Sequence, residues 1–318
     1  MCRLGKEQQM AGMKLDWTGV VPAATTQFNE SLGVDFDSTQ KVLDGLIRDG
    51  VDAIIVLGTV GENNSLEPEE KRAVLKAAVE VVDGRVPIIT GVSELTTARA
   101  EAYARDAEDI GVDALMVLPA MVYVPTAAEL EAHFRAVAAA SGLPNMLYNN
   151  PLMYRQTLNN DDLRRLSDVP NIVALKESAP DSRRITDIFN ELGDRYSVMV
   201  GLDDVALEGM ILGAKGWVSG LTNAFPEESV ALVKAVQAGD IARALEIYRW
   251  FMPLLHLDSV ADLVQSIKLS EMIMGRGHER VRMPRMPLAG ARRAEVIAMV
   301  EKAAEARPIG SGKAAKIT

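Results

Sequence analysis

Short runs of Val, Ile, Leu and Ala recur along the chain, each followed by a polar turn and a longer stretch in which apolar residues return at helical spacing. That alternation predicts βαβ units. The runs lie at 19–25 (GVVPAAT), 53–57 (AIIVL), 86–90 (VPIIT), 114–118 (ALMVL), 145–149 (NMLYN), 171–175 (NIVAL), 197–200 (SVMV) and 216–219 (GWVS), eight in all. Several are apolar at nearly every position, the pattern of parallel strands buried on both faces. Helices are predicted between them, for instance over 68–82, with Pro68 at the first helical position behind Glu67, and over 96–110, opening on Thr96 and Thr97. Beyond about residue 225 the strand signals stop, and 227–238, 240–257, 259–274 and 291–306 read as helices.

Eight strands with eight crossovers can close into a barrel or spread into a doubly wound sheet. The regular count, and the lack of a Gly-rich phosphate fingerprint after the first strand, favour an α/β fold of the TIM (β/α)8 type. The expected organisation is a flexible leader over 1–16, the barrel over 17–238, a C-terminal helical appendage over 239–307 and a flexible tail over 308–318.

Composition narrows the partners. The chain is 48% hydrophobic and 25% charged, enough apolar side chain for a large core. A net charge of -10 and a pI near 5.0 argue against nucleic acid, which needs a concentrated basic face. The one cysteine, Cys2, allows no intramolecular disulfide and no thiolate cluster. His133, His256 and His278 have no ligand-spaced partners and read as surface or capping residues, so neither metal nor cofactor is expected. No apolar window is long enough to cross a membrane and no secretory leader is evident, so a cytoplasmic protein is expected.

In a barrel of this kind the active site lies at the C-terminal ends of the strands. The second run ends in Gly58-Thr59-Val60-Gly61-Glu62, where the glycines let backbone N–H groups approach a carboxylate; a plain β-to-α turn fits equally. The fifth ends in Tyr148-Asn149-Asn150-Pro151, where Tyr148 is either a general acid and base or an interfacial tyrosine. The sixth runs directly into Lys176. Burial there would lower its pKa and expose a nucleophilic amine, unless Glu177 or a carboxylate across the mouth pairs with it; spacing leaves both readings open. Asp203 and Asp204 read as caps of the next helix rather than metal ligands. No G-x-S-x-G elbow, Walker A sequence or H-E-x-x-H pattern occurs.

At these residues the chain resembles the dihydrodipicolinate synthase and N-acetylneuraminate lyase superfamily of class I Schiff-base enzymes. The resemblance runs in order through GVVPAATTQF, GTVGENNSLEPEEK, MLYNNP, NIVALKES, GLDD and GAKGWVSGLTN, and continues into the C-terminal helices. It implies a Schiff-base role for Lys176, proton transfer by Tyr148 and completion of the relay by Thr59. Val60 stands where many members place a hydroxyl against the substrate carboxylate, and keeps its N–H. Gly58, Asn150, Gly201 and Val218 match positions around the family's pocket. Met153 stands where dihydrodipicolinate synthases carry an arginine, with Arg155 two places on. Val122 matches a tyrosine lent across a dimer interface, with Tyr123 one step displaced. Met153, Tyr123, Tyr154 and Arg155 are candidates for the substrate's distal end.

PAMVY, YNNP, KES with RRITD, and WFMPLLHLD resemble the branch containing 1-pyrroline-4-hydroxy-2-carboxylate deaminase of hydroxyproline breakdown. The resemblance thus implies a small 2-oxo acid or cyclic imine as substrate and a homotetramer of paired dimers. A 2-oxo acid aldolase, a sugar-acid dehydratase, 4-hydroxy-tetrahydrodipicolinate synthase and a non-catalytic 2-oxo acid binding protein are the alternatives.

Overall fold

The computed structural model describes residues 15–119 and 123–309. Eight strands, β1 (Gly19–Pro22), β2 (Ile54–Val56), β3 (Ile88–Val92), β4 (Ala114–Val117), β5 (Asn145–Asn149), β6 (Ile172–Glu177), β7 (Ser197–Val200) and β8 (Gly216–Ser219), form one parallel sheet. Its order is β1-β8-β7-β6-β5-β4-β3-β2. Beyond β1, Ala23 bridges to Ile55 of β2, and Ala24 N–H donates to the Ile55 carbonyl at 2.8 Å. This contact closes the ring, which decides for the barrel over the open sheet.

Alternation along each strand then sorts its side chains into two layers. Val21, Ile55, Ile89, Ala114, Met116, Met146, Tyr148, Ala174, Met199 and Val218 fill the barrel, with Trp17 packed into the same cluster. Their neighbours, such as Val20, Ile54, Leu115, Leu147, Leu175, Val200 and Trp217, face the surrounding helices. A run that is apolar throughout is therefore required.

The crossovers are α1 (Phe36–Arg48), α2 (Pro68–Val82), α3 (Thr97–Ile110), α4 (Ala127–Ala139), the pair α5 (Pro151–Tyr154) and α6 (Asn160–Leu166), α7 (Arg183–Leu192) and α8 (Ala206–Ile211). After β8 come α9 (Pro226–Gln237), α10 (Ile241–Leu255), α11 (Leu263–Ile273) and α12 (Gly290–Glu305). The start signals hold. Pro68 opens α2 behind a capping box of Glu67 and Glu70, and the Thr96 hydroxyl caps α3 by accepting from Arg99 N–H.

Two boundaries differ from expectation in ways that matter for the site. The sixth strand continues through Lys176 and Glu177, because Tyr148 and Asn149 of β5 pair with them. The helix expected over 240–257 ends at Leu255 and passes into a 3₁₀ turn, His256–Asp258, that points back toward the barrel mouth. The expected leader, apart from Leu15 and Asp16, most of the expected tail, and Val122 lie outside the described residues. Among the described residues no helix is long and apolar enough to cross a membrane.

Candidate active site

The turn after β2 is drawn tightly against the barrel. Leu57 and Glu62 both adopt positive φ, near 55° and 54°, uncommon for residues with side chains and found where surrounding contacts over-determine the backbone. Those contacts are present: Asn63 Nδ2 donates to the carbonyls of Leu57 (3.0 Å) and Gly91 (3.1 Å), and Thr26 Oγ1 donates to the Gly61 carbonyl (2.7 Å). A Cβ on Gly61 would lie 2.9 Å from Leu57 N, so only glycine fits. At the crest, the N–H groups of Thr59 and Val60 donate to no protein acceptor among the described residues. Two adjacent unpaired N–H groups can donate to an anion.

Tyr148 and Lys176 are lateral neighbours on β5 and β6, both on the inward face. Glu177, one residue on, points the other way. Its carboxylate is buried among Arg184 Nε (2.7 Å), Asn149 Nδ2 (2.7 Å) and Ala179 N–H (2.8 Å), so it cannot pair with Lys176. Burial raises the Glu177 pKa against the opposing pull of Arg184. Strand alternation thus removes Glu177 as a partner of Lys176.

Lys176 is 6% exposed and its Nζ lies 4.2 Å above the Tyr148 ring centroid. Among the described residues it makes neither a hydrogen bond nor an ion pair. Loss of water lowers its pKa to about 8, opposed by the more distant charges of Asp258 and Asp203. Gly201, at the end of β7, leaves the channel for this chain: a Cβ would stand 2.6 Å from Lys176 Cγ and 2.7 Å from its Cε.

The hydroxyl groups are arranged differently from expectation. Asn150 Nδ2 donates to the Tyr148 hydroxyl at 3.0 Å, while Asn150 Oδ1 caps α5 by accepting from Met153 N–H at 3.0 Å. Burial pushes the Tyr148 phenol up to about 12. Thr59 Oγ1 is hydrogen-bonded to the hydroxyl of Tyr154, not to Tyr148. The two tyrosine rings meet edge to face, 5.6 Å between centroids. Tyr154 thus stands between Thr59 and Tyr148; sequence reading had placed it only among candidates for the distal end.

Thr59, Val60, Tyr148, Asn150, Met153, Lys176 and Gly201 line one cavity at the mouth. Asp258 and Leu263 close it from the C-terminal helices, an assignment the sequence did not suggest, since Asp258 falls just past an ordinary helical pattern. Three expected site residues stand elsewhere. Gly58 lies behind the turn, against Met116. Val218 is packed inside the barrel among Met199 and its neighbours, below the cavity lining. Tyr123 is 58% exposed and donates to Glu129 at 2.9 Å, because the first turn of α4 holds it outside the cavity of its own chain.

Asp203 and Asp204 also correct expectation. Asp203 accepts from Trp217 Nε1 (2.9 Å), Leu221 N–H (2.9 Å) and Ser219 Oγ (3.2 Å), tying β7 to the turn after β8 rather than capping α8. Asp204 meets His256 Nδ1 at 2.9 Å. His133 is buried, with Thr97 Oγ1 3.0 Å from its Nδ1, and not at the surface. Among the described residues no three His, Cys, Asp or Glu side chains converge as a metal site would require.

A closed barrel whose mouth holds a desolvated amine beside buried phenols is an arrangement able to support carbonyl chemistry. The chain belongs to the dihydrodipicolinate synthetase family, whose model matches residues 16–303. Members of the family are lyases, and this chain is a lyase of that family. It is 32% identical over 287 residues to the 4-hydroxy-tetrahydrodipicolinate synthase of Geotalea uraniireducens, covering 89% of this chain and 98% of that one. Among solved structures, dihydrodipicolinate synthase from Aquifex aeolicus superimposes with a TM-score of 0.86 at 31% identity, covering 90% and 97% of the two chains. YagE, a prophage protein of the dihydrodipicolinic acid synthase family from E. coli solved with pyruvate, gives a TM-score of 0.86 at 27% identity, covering 91% and 99%.

Proposed function

We propose that the protein forms a Schiff base through Lys176 and acts as a 1-pyrroline-4-hydroxy-2-carboxylate deaminase. The observation that carries the chemistry is the Lys176 amine, desolvated and without a hydrogen-bond partner among the described residues, in a cavity bounded by Tyr148 and the Thr59–Val60 turn. A free amine adds to the imine carbon of the pyrroline, and the ring nitrogen leaves as the chain's terminal amine. The carboxylate on that carbon fits the two unpaired N–H groups of Thr59 and Val60. The new protonated imine acidifies C3; its proton leaves with the C4 hydroxyl as water. Proton shift from C5 makes the amine an imine, and two waters then release ammonia and free Lys176, giving 2-oxoglutarate semialdehyde. Net uptake is one water. Tyr148, with Tyr154 and Thr59 behind it, is the group placed to carry these protons.

A second reading, 4-hydroxy-tetrahydrodipicolinate synthase, follows the names of relatives such as the Geotalea protein. The cavity speaks against it: Met153 lines the wall and, among the described residues, no arginine does, while Arg155 is exposed at the end of α5. Incubating the purified protein with the pyrroline should yield ammonia and semialdehyde in equal amounts. No product from the pyrroline, with condensation of pyruvate and aspartate semialdehyde instead, sinks the deaminase in favour of the synthase. Assembly as a homotetramer of paired dimers belongs to the same proposal, supported by exposed Leu95, Tyr123 and Val124, and light scattering tests it.

A further inference from the structure

The charged lining of the cavity is sparse: among the described residues Lys176 and Asp258 are its only ionisable base and acid besides the tyrosine phenol. Three aspartates gather at this corner, and two are committed to the fold. Asp203 spends its oxygens on Trp217, Ser219 and Leu221, and Asp204 one of its two on His256, the other being buried without a hydrogen-bond partner. Asp258 is the one that lines the cavity. It is delivered by the 3₁₀ turn His256–Asp258 and seated against Gly220, where a Cβ would stand 2.6 Å from Asp258 Oδ1. That glycine therefore keeps open the space the carboxylate occupies.

We propose that Asp258 reads the far end of the substrate, admitting 2-oxo acids or cyclic imines that carry a hydroxyl or a protonated nitrogen there and rejecting those that carry a second carboxylate. The assignment rests on the reading that Lys176 captures the 2-oxo or imine carbon. One substrate carboxylate is provided for by the Thr59 and Val60 N–H groups. A second would have to approach Asp258 in a desolvated site with Asp204 nearby and, among the described residues, no arginine in the lining. Like charges so placed repel, whereas a hydroxyl or ammonium gains a charge-assisted hydrogen bond. Burial lifts Asp258 to about 6 against the favourable charge of Lys176, so at neutral pH it is largely the anion that a hydroxyl or ammonium donates to. Selectivity thus comes from the repelled competitor as much as from the bound substrate.

The test compares two acids of equal length, 5-hydroxy-2-oxopentanoate and 2-oxoglutarate, by calorimetry and by competition with pyruvate for borohydride-trapped adduct on Lys176. The parent is expected to prefer the hydroxy acid by about 100-fold or more. Asp258→Asn should shrink the ratio to under about 10-fold, chiefly by admitting 2-oxoglutarate. Equal binding of the two acids by the parent overturns the proposal, whatever the variant does. So does an unchanged ratio in D258N, or failure of the parent to bind either acid. A retained preference with no ammonia from the pyrroline leaves Asp258 in this role and overturns the deaminase alone.

Discussion

Two of the three lysines buried among the described residues, Lys176 and Lys268, are treated in opposite ways. Lys268, on α11, is fully buried and fully partnered: its Nζ donates to Glu62 Oε1 at 2.9 Å and to the Thr26 carbonyl at 2.8 Å, and it lies 4.4 Å from the Phe28 ring centroid. Glu62 in turn accepts from Arg282 N–H at 3.0 Å. Lys176 has an aromatic ring beneath it and a cavity above it, but no acceptor among the described residues. Burial lowers both pKa values; at Lys268 the adjacent Glu62 opposes that shift directly, whereas at Lys176 only more distant carboxylates do. The difference teaches how one fold uses one side chain twice. Where the amine is paired it locks the β2 turn to the C-terminal helices; where it is left unpaired it is available to a carbonyl carbon.

The largest effect expected from breaking this contrast is at the reactive lysine. Lys176→Ala should lower turnover by more than about 1,000-fold and abolish the borohydride adduct with pyruvate, read by intact mass. Retention of the adduct on another residue means the nucleophile is misassigned. The midpoint of thermal unfolding should hold or rise, since no partner is left behind.

The mirror-image variant, Lys268→Met, should act on stability. Removing one partner of a buried pair strands the other, at roughly 3–5 kcal/mol by chemical denaturation. Lys268→Met with Glu62→Gln should recover part of that loss. If the single variant is as stable as the parent, the pair has no locking role.

A smaller effect is expected at the phenol between Thr59 and Tyr148. Tyr154→Phe keeps the ring packing and removes the hydroxyl, so kcat should fall by about 100-fold with KM nearly unchanged. A change confined to KM points instead to substrate contact.

The mildest perturbation is pH. Addition requires the neutral amine, and with Lys176 near 8 its fraction falls about tenfold per unit below that value. The rate of adduct formation with pyruvate should rise with pH and level off above about 8. Stability follows the same group. Its folded pKa lies below the 10.5 of an ordinary lysine, so between 8 and 10.5 the unfolded chain holds more protons and stability gains a rising component as pH increases. That component should vanish in Lys176→Ala, as measured by urea titration across the window; an unchanged slope assigns it to other groups.

Much of this was legible from the sequence because burial on both faces leaves a plain mark. Eight apolar runs, each broken by polar residues, marked the strands, and the breaks at Thr59, Tyr148 and Lys176 marked the mouth. Where a side chain points after the break was not legible. Lys176 and Glu177 adjoin in sequence, and only the extension of β6 through both turned one inward and the other toward Arg184. Thr59 lies at the mouth, but its bond to Tyr154 depends on the short α5 folding back over the barrel.

By itself, then, the sequence determined the alternation, the strand count and the residues that end the strands, because these follow from local periodicity and from the cost of exposing apolar runs. Only the tertiary structure decided closure of the ring, the loss of Tyr123 from the cavity of its own chain, and the arrival of Asp258 opposite Lys176. Each of these joins segments far apart in the chain, and the packing that places them has no local signature.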